Sequence, residues 1–284
     1  MSVDQNSKGN IVAAERRRSI VEIVSQRGSV TVGDLADALE VAGNTIRGDL
    51  DKLHAEGKLL RVHGGAVRKS SPIPRPPYPE TRNMHMVQKA AIGVAALKCL
   101  PEAGSIFIGP GSTTYQFATR LPEGRMLHVV TSGLDIATYL LSNHVARLSI
   151  LGGCLSADSF GTDASLSEHA LEELYWNVTF MGASAVDIGC GMTTIDINSA
   201  RLERKIIERG RKLVVLCDSS KLGSFSQAQV GPISMIDVLV TDSDVDPEFA
   251  KALTDRGVEV VVAGYADTED DIVRSSVQID RAGH

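Results

Sequence analysis

Two groups of residues in this 284-residue chain have types and spacings suited to holding phosphates. The first lies near the N-terminus. Asn44, Thr45, Arg47 and Lys52 share a short stretch with Ile46, Leu50 and Leu53, which recur at i, i+4 and i+7. At ~100° per residue those three apolar side chains share one helix face. Asn44, Gly48 and Asp51 then point the opposite way, with Thr45, Arg47 and Lys52 on the flanks. Polar side chains at the start of such a helix reach base edges in a major groove, and flanking cations hold phosphates. Arg47 can offer a two-pronged donor to guanine or phosphate. Taken alone, the pattern more often describes a helix with a solvated polar face. Its neighbours favour nucleic acid: Arg16 and Arg17 precede it, and Arg61 and His63 follow it in a glycine-bearing hairpin sequence.

The second group is a series of glycine- and hydroxyl-rich loops, each placed after a short apolar run: Gly111-Ser112-Thr113-Thr114, Thr131-Ser132-Gly133, Gly152-Gly153, Gly191-Met192-Thr193-Thr194 and Asp218-Ser219-Ser220-Lys221. Glycine lets backbone approach a ligand, hydroxyls donate hydrogen bonds, and a helix start favours an anion. Any one such loop is more commonly only a helix cap. Several in one domain point to an anionic ligand held by Gly111, Ser112, Thr113, Thr114, Thr131, Ser132, Gly133, Gly153, Thr193 and the cation of Lys221. There is no full Walker A motif and no GxGxxG, so a nucleotide fold is not indicated. Cys99, Cys154, Cys190 and Cys217 are far apart, without CxxC or histidine at metal spacing. They read as small buried residues, and neither metal nor cofactor is expected.

The elements that must position these residues are legible. Ile20, Ile23 and Val24 mark a helix over Arg16–Gln26 that stops at Gly28. Thr31 is placed to cap a second helix that buries Leu35, Ala36 and Leu39, and Val41-Ala42-Gly43 turns into a third. Leu59 to Val67 alternates around His63-Gly64-Gly65 as a β-hairpin wing. Residues 1–69 thus read as a winged helix-turn-helix, and 70–79 as an extended proline-rich linker. Beyond it comes a helix near 84–99, then apolar strands near 105–108, 128–131, 148–151, 178–181, 213–217, 238–241 and 259–262. Helices alternate with them near 113–120, 134–142, 166–175, 200–209 and 247–256. The alternation predicts an α/β fold over 80–264, a largely parallel sheet covered by helices, with a polar tail at 265–284. Residues 1–70 hold eleven Lys and Arg against nine Asp and Glu, and the remainder eighteen against 26. A mildly basic end on an acidic body suits DNA contact by one module. No apolar run reaches ~18 residues and the start lacks a signal-peptide core, so a cytoplasmic protein without membrane contact is expected.

The N-terminal segment resembles the DeoR family of bacterial transcriptional regulators through Glu15-Arg16-Arg17, Thr31-Val32 to Leu35-Ala36, Thr45-Ile46-Arg47-x-Asp49-Leu50 and Arg61-Val62-His63-Gly64-Gly65-Ala66. From about Tyr78 to Val262 the chain is similar to that family's effector domain, itself related to sugar-phosphate isomerases. The markers are Tyr78-x-x-x-Arg82, Gly111-Ser112-Thr113-Thr114, Val130-Thr131-Ser132, Leu151-Gly152-Gly153, Gly182-Ala183, Gly191-Met192-Thr193-Thr194 and Asp218-Ser219-Ser220-Lys221-Leu222-Gly223. The resemblance implies a regulator, a repressor of a sugar or polyol operon, that binds operator DNA as a dimer or tetramer and is released by a phosphorylated sugar or polyol. The rival expectation is an isomerase-like enzyme with an accessory winged helix. The chain departs from the family pattern at Gly48 (usually Arg), Gly109 (usually Asp), Ser132 (usually Asn), and at Ser199 and Glu203, where the pattern is Glu-Ala-x-x-Lys. Loss of the carboxylate at 109 counts against proton-transfer chemistry, which needs a positioned acid or base.

Overall fold

The computed structural model describes residues 5–27, 29–56, 58–62, 64–68, 78–124, 126–144 and 147–264. Gly28, His63, most of the proline-rich segment and the tail from Tyr265 lie outside them. The N-terminal module comprises α1 (Gln5–Arg27), β1 (Ser29–Thr31), α2 (Val32–Ala38), α3 (Gly43–Ala55), β2 (Leu59–Val62) and β3 (Gly65–Arg68). Thr31 caps α2 as expected: its hydroxyl accepts from the Asp34 amide at 3.1 Å, and the Asp34 carboxylate accepts from the Thr31 amide at 3.0 Å. A reciprocal cap of this kind is worth ~1 kcal/mol. Ile46, Leu50 and Leu53 are buried against Ile20, Val24, Leu35 and Leu59. The wing has one strand more than the expected hairpin, because the extended residues that lead into α2 pair with β3, giving the order β1-β3-β2. That pairing explains Gly65, where a Cβ would sit 2.0 Å from the Val30 carbonyl oxygen.

The C-terminal part runs α4 (Tyr78–Asn83), α5 (Met86–Ala96), β4 (Gly104–Ile108), α6 (Ser112–Ala118), β5 (Leu127–Thr131), α7 (Leu134–Ser142), β6 (Arg147–Ile150), β7 (Leu155–Ser156), β8 (Gly161–Thr162), α8 (Glu168–Glu173), β9 (Val178–Gly182), β10 (Ala185–Asp187), β11 (Gly191–Thr194), α9 (Ile197–Glu208), β12 (Leu213–Leu216), β13 (Ala228–Gly231), β14 (Val238–Asp242), α10 (Pro247–Thr254) and β15 (Glu259–Ala263). Among the described residues the main sheet has seven parallel strands in the order β15-β14-β12-β9-β4-β5-β6. These are the seven strands the apolar runs indicate. Alternate residues feed opposite faces: Ile106 and Ile108 pack towards α5, α6 and α7, whereas Phe107 packs on the side of α9 and α10. This is the layered burial of a parallel sheet covered on both faces.

α1 begins at Gln5, earlier than the expected Arg16, and three features of the C-terminal part also depart from the expected elements. The helix expected near 84–99 is preceded by α4, which begins inside the expected linker because Tyr78 is buried. α4 and α5 are separated at Met84 and His85, where His85 adopts φ +52°. The residues Gly191–Thr194 form no loop; they are β11, the centre of a small antiparallel sheet β10-β11-β13. Strands of three or four residues rich in Gly and Thr carry too little apolar periodicity to be told from turns.

Candidate effector cleft and nucleic-acid interface

The strand order places the site. From β4 the chain proceeds outward through β5 to β6, then returns to the other side of β4 to add β9, β12, β14 and β15. The direction of winding reverses between β4 and β9. Loops leaving the carboxyl ends of those two strands diverge to opposite faces and open a crevice, the usual ligand position in such sheets. A cleft of about 1170 Å³ lies there, lined after β4 by Pro110 to Thr114, after β5 by Ser132, after β9 by Ala183 and Ser184, and after β12 by Asp218, Ser220 and Lys221.

The cleft gathers six of the ten residues singled out for an anion: Gly111, Ser112, Thr113, Thr114, Ser132 and Lys221. Gly111, at φ +147°, occupies a region that favours glycine and turns the chain into α6. The amides of Ser112, Thr113 and Thr114 are in the first turn of α6, where backbone donors have no partner within the helix. The hydroxyl of Thr114 donates to the Gly111 carbonyl at 2.9 Å, whereas those of Ser112 and Thr113 bond to no described residue. The other four have structural employment. Thr131 is fully buried; its hydroxyl donates to the Ile108 carbonyl at 2.6 Å and accepts from the Gly133 amide at 3.0 Å. That bond also uses the Gly133 donor. Gly153 packs against the Asp163 loop, where a Cβ would lie 2.4 Å from the Asp163 carboxylate. Thr193, inside β11, donates to the Ala185 carbonyl and accepts from the Ser226 amide at 2.8 Å.

The floor of the cleft is an ionic cluster. Lys221 Nζ stands 3.6 Å from Asp218 Oδ2, with 27% of the lysine side chain exposed. Asp218 is buried, and burial alone would raise its carboxyl. The charge of Lys221, a hydrogen bond from Ser220, and the charges of Lys89 and His85 together outweigh burial and hold it below its usual range. Asp218 Oδ2 has its ion-pair partner in Lys221 but no hydrogen-bond partner among the described residues. Lys89 on α5 was not singled out from the sequence. It lines the cleft, is only 2% exposed, and donates to the Thr81 carbonyl of α4. Its signal was available: it lies on the stripe of Ile92 and Ala96, where an apolar residue is expected.

Three departures from the family pattern, Ser132, Ser199 and Glu203, line the cleft, and Gly109 lies just before its Pro110. A Cβ at Gly109 would sit 2.5 Å from the sulfur of Met181, whose flexible end would have to shift for a side chain there. Ser199 belongs to the cap of α9: Asp196 accepts from the amides of Asn198 and Ser199 and from the Ser199 hydroxyl. Glu203 lines the cleft and accepts from Thr194 at 3.2 Å.

On the N-terminal module, Asn44, Thr45, Arg47, Gly48 and Lys52 are all exposed on α3. Arg47 Nη1 donates to the Asn44 side-chain carbonyl at 2.7 Å, which holds the two side chains together. Arg16 is differently placed from the expected DNA contact. Its Nε donates to Asp49 at 2.6 Å, the Asp49 side chain being 7% exposed, and so braces α1 against α3. Arg17 Nε donates to the Ala13 carbonyl at 3.2 Å and stands 4.0 Å from Asp49. Arg61, on β2, pairs with Asp51 of α3.

Comparison with known proteins finds two family models matched by the chain. The model of the DeoR-like helix-turn-helix domain matches residues 16–72, and that of the DeoR C terminal sensor domain matches residues 84–243. The HTH-type transcriptional regulator YulB of Bacillus subtilis is 33% identical over 88% of this chain and 96% of its own. The HTH-type transcriptional regulator GolR of Listeria innocua is 30% identical over 88% and 98%. The glycerol-3-phosphate regulon repressor of Escherichia coli is 28% identical over 87% and 97%. Among solved structures, ribose 5-phosphate isomerase A from Neisseria gonorrhoeae is 20% identical and covers 47% of this chain and 52% of its own, with a TM-score of 0.35, too slight an overlap to bear on function. With a DNA-binding module and a sensor domain both matched, and relatives aligned over nearly their whole length, the chain belongs to the DeoR family of transcriptional regulators.

Proposed function

We propose that this regulator is a repressor whose cleft takes a phosphorylated sugar or polyol, and that the ligand lowers operator affinity. The observation that carries the reading is the cleft at the β4–β9 reversal, where the first-turn amides of α6 and two uncommitted hydroxyls share one crevice with Lys221 and Lys89. A phosphate meets amide donors and cations together there. Asp218 Oδ2, buried and without a hydrogen-bond donor among the described residues, suits a ligand hydroxyl. Ser184, Thr194 and Glu203 offer further partners to the part of the ligand that is not phosphate. Because Glu203 replaces the lysine of the family pattern, that part meets an acceptor. The name of the E. coli glycerol-3-phosphate regulon repressor supports a phosphorylated effector.

The mechanism is linkage: a ligand that prefers the non-operator conformation lowers DNA affinity by its difference in affinity for the two states, typically ~1–3 kcal/mol. We read the chain as a homodimer or tetramer, since one small module binds weakly and paired modules read paired half-sites. We read it as non-catalytic, because position 109 lacks the carboxylate of the family pattern.

Calorimetry with sugars and their phosphate esters tests the site. The phosphorylated form should bind and its parent should not. Lys221→Ala should weaken binding by ~1.5–3 kcal/mol if Nζ makes a charge-assisted bond to the ligand. Operator affinity without ligand should survive that substitution, so the variant should be poorly inducible. Equal binding of free and phosphorylated sugars would remove the phosphate from the proposal.

A further inference from the structure

One aromatic contact joins the rim of the cleft to the first helix after the linker. Hairpin β7–β8 forms part of that rim, with Ser156, Asp158, Ser159 and Thr162 lining the cleft. Phe160 lies between the two strands, and its ring stacks on Tyr78 with centroids 5.4 Å apart and planes inclined by 11°. Tyr78 is the first residue of α4, where the chain emerges from the proline-rich linker to the DNA-binding module. It is 2% exposed, and its hydroxyl donates to Asp135 in the first turn of α7.

α4 meets the cleft at Thr81, and Met84 and His85 just beyond its end line the cleft as well. Its start rests on Phe160, the Thr81 carbonyl accepts from buried Lys89, and His85 beyond its end lines the cleft beside Lys89. The rim is tied to a second ligand loop as well. The Phe160 carbonyl accepts from the Leu134 amide at 3.0 Å, and the Thr162 amide donates to the Ser132 carbonyl at 2.8 Å. Ser132 itself lines the cleft.

The backbone here is strained where movement would be needed. Phe160 and Ala164 bracket β8, and both adopt φ +52°, as does His85 between α4 and α5. Side chains of this kind adopt the left-handed region only where surrounding contacts hold them, and such residues gather at ligand clamps and switch segments. Phe160 keeps that conformation while 41% exposed, held by the Tyr78 ring on its side chain and the Leu134 amide on its carbonyl.

We propose that the Tyr78–Phe160 stack is the coupling device of this regulator: the β7–β8 rim closes on an occupied cleft, carries Tyr78 and α4 with it, and so resets the linker to the DNA-binding module. The proposal rests on the reading of the cleft as the effector site. Tyr78 and Phe160 are positioning residues. The rim hydroxyls and Asp158 supply what coupling requires, contacts to ligand that differ between open and closed rim.

The test uses the full-length chain without ligand, compared with Phe160→Ala and Phe160→Tyr, by hydrogen exchange and by operator binding in fluorescence anisotropy. Phe160→Ala should speed exchange in α4 by about tenfold while the amides of β4, β9 and α3 keep parental rates. It should also change operator affinity by about fivefold. Phe160→Tyr, which keeps the stacked ring, should restore both. If Phe160→Ala does not fold, Phe160→Leu, which keeps bulk and loses the ring, goes through the same assays. Parental exchange in α4 overturns the proposal. So does fast α4 exchange with parental operator affinity, since the stack would then serve packing alone. A separate arm adds inorganic phosphate to the parent chain and reads exchange at Gly111 to Thr114. Absence of slowing there counts against the anion site, whereas the ligand-free arms alone decide the role of the stack.

Discussion

At the scale of single residues, Gly48 separates this protein from its family pattern. A Cβ at Gly48 would meet nothing within 4 Å, so the fold does not require glycine. The residue lies on the exposed side of α3 beside the Arg47–Asn44 pair. Gly48→Arg should therefore fold, gain ~0.8 kcal/mol of helix stability and place a new cation towards DNA. Non-specific affinity should rise, and the slope of log affinity against log salt should steepen by about 0.9 if the arginine takes a phosphate. Should the glycine instead serve close approach of DNA backbone, specific binding would be lost while non-specific binding grew. Identical affinities and slopes for both proteins would show that this face does not touch DNA.

Elements are held to one another by polar groups as much as by the apolar core. α1 and α3 share the Arg16–Asp49 ion pair in addition to Ile20, Val24, Ile46 and Leu50. Removing one partner of a largely buried pair leaves the other charge uncompensated. Asp49→Ala should cost ~2 kcal/mol of stability, the usual scale for a hydrogen bond between charged groups, read as a lower denaturant midpoint for the N-terminal module. Arg16→Ala should cost a similar amount, and the double variant little more than either alone. A stable Arg16→Ala with weaker DNA binding and a reduced salt slope would make Arg16 a phosphate contact after all.

Over the whole molecule, charge is divided as function demands. The first 70 residues are slightly basic and the remainder is acidic. Repulsion between an acidic body and DNA favours contact through the basic module. Lys52→Ala, on exposed α3, should reduce the salt slope of operator binding by about 0.9 for each bound copy. Lys251→Ala, exposed on α10 of the body, should leave it unchanged. An equal reduction from both would place the body on the DNA.

The sequence by itself determined what depends on local burial. Continuous apolar runs marked the parallel strands, because a strand covered on both faces has no polar side to show. Period and caps marked the three helices of the N-terminal module, and Thr31 took the capping role its position implies. The turn at Gly111 to Thr114 was legible because a strand end, a glycine and a helix start are all local features. Tertiary structure decided the partners of polar groups. Nothing near Thr131 in sequence announces that its hydroxyl is committed to Ile108, 23 residues away, and the Arg16–Asp49 pair spans 33 residues. Lys89 stood out only as a lysine on an apolar stripe; its place beside Asp218 and Thr81 required α5 to pack across the end of β12. The Tyr78–Phe160 stack joins a residue at the linker to one in a hairpin too short to show a period. Periodicity records which face of an element is buried, whereas the choice among partners for a charge, a hydroxyl or a ring is made by elements far apart in the chain, once packing has brought them together.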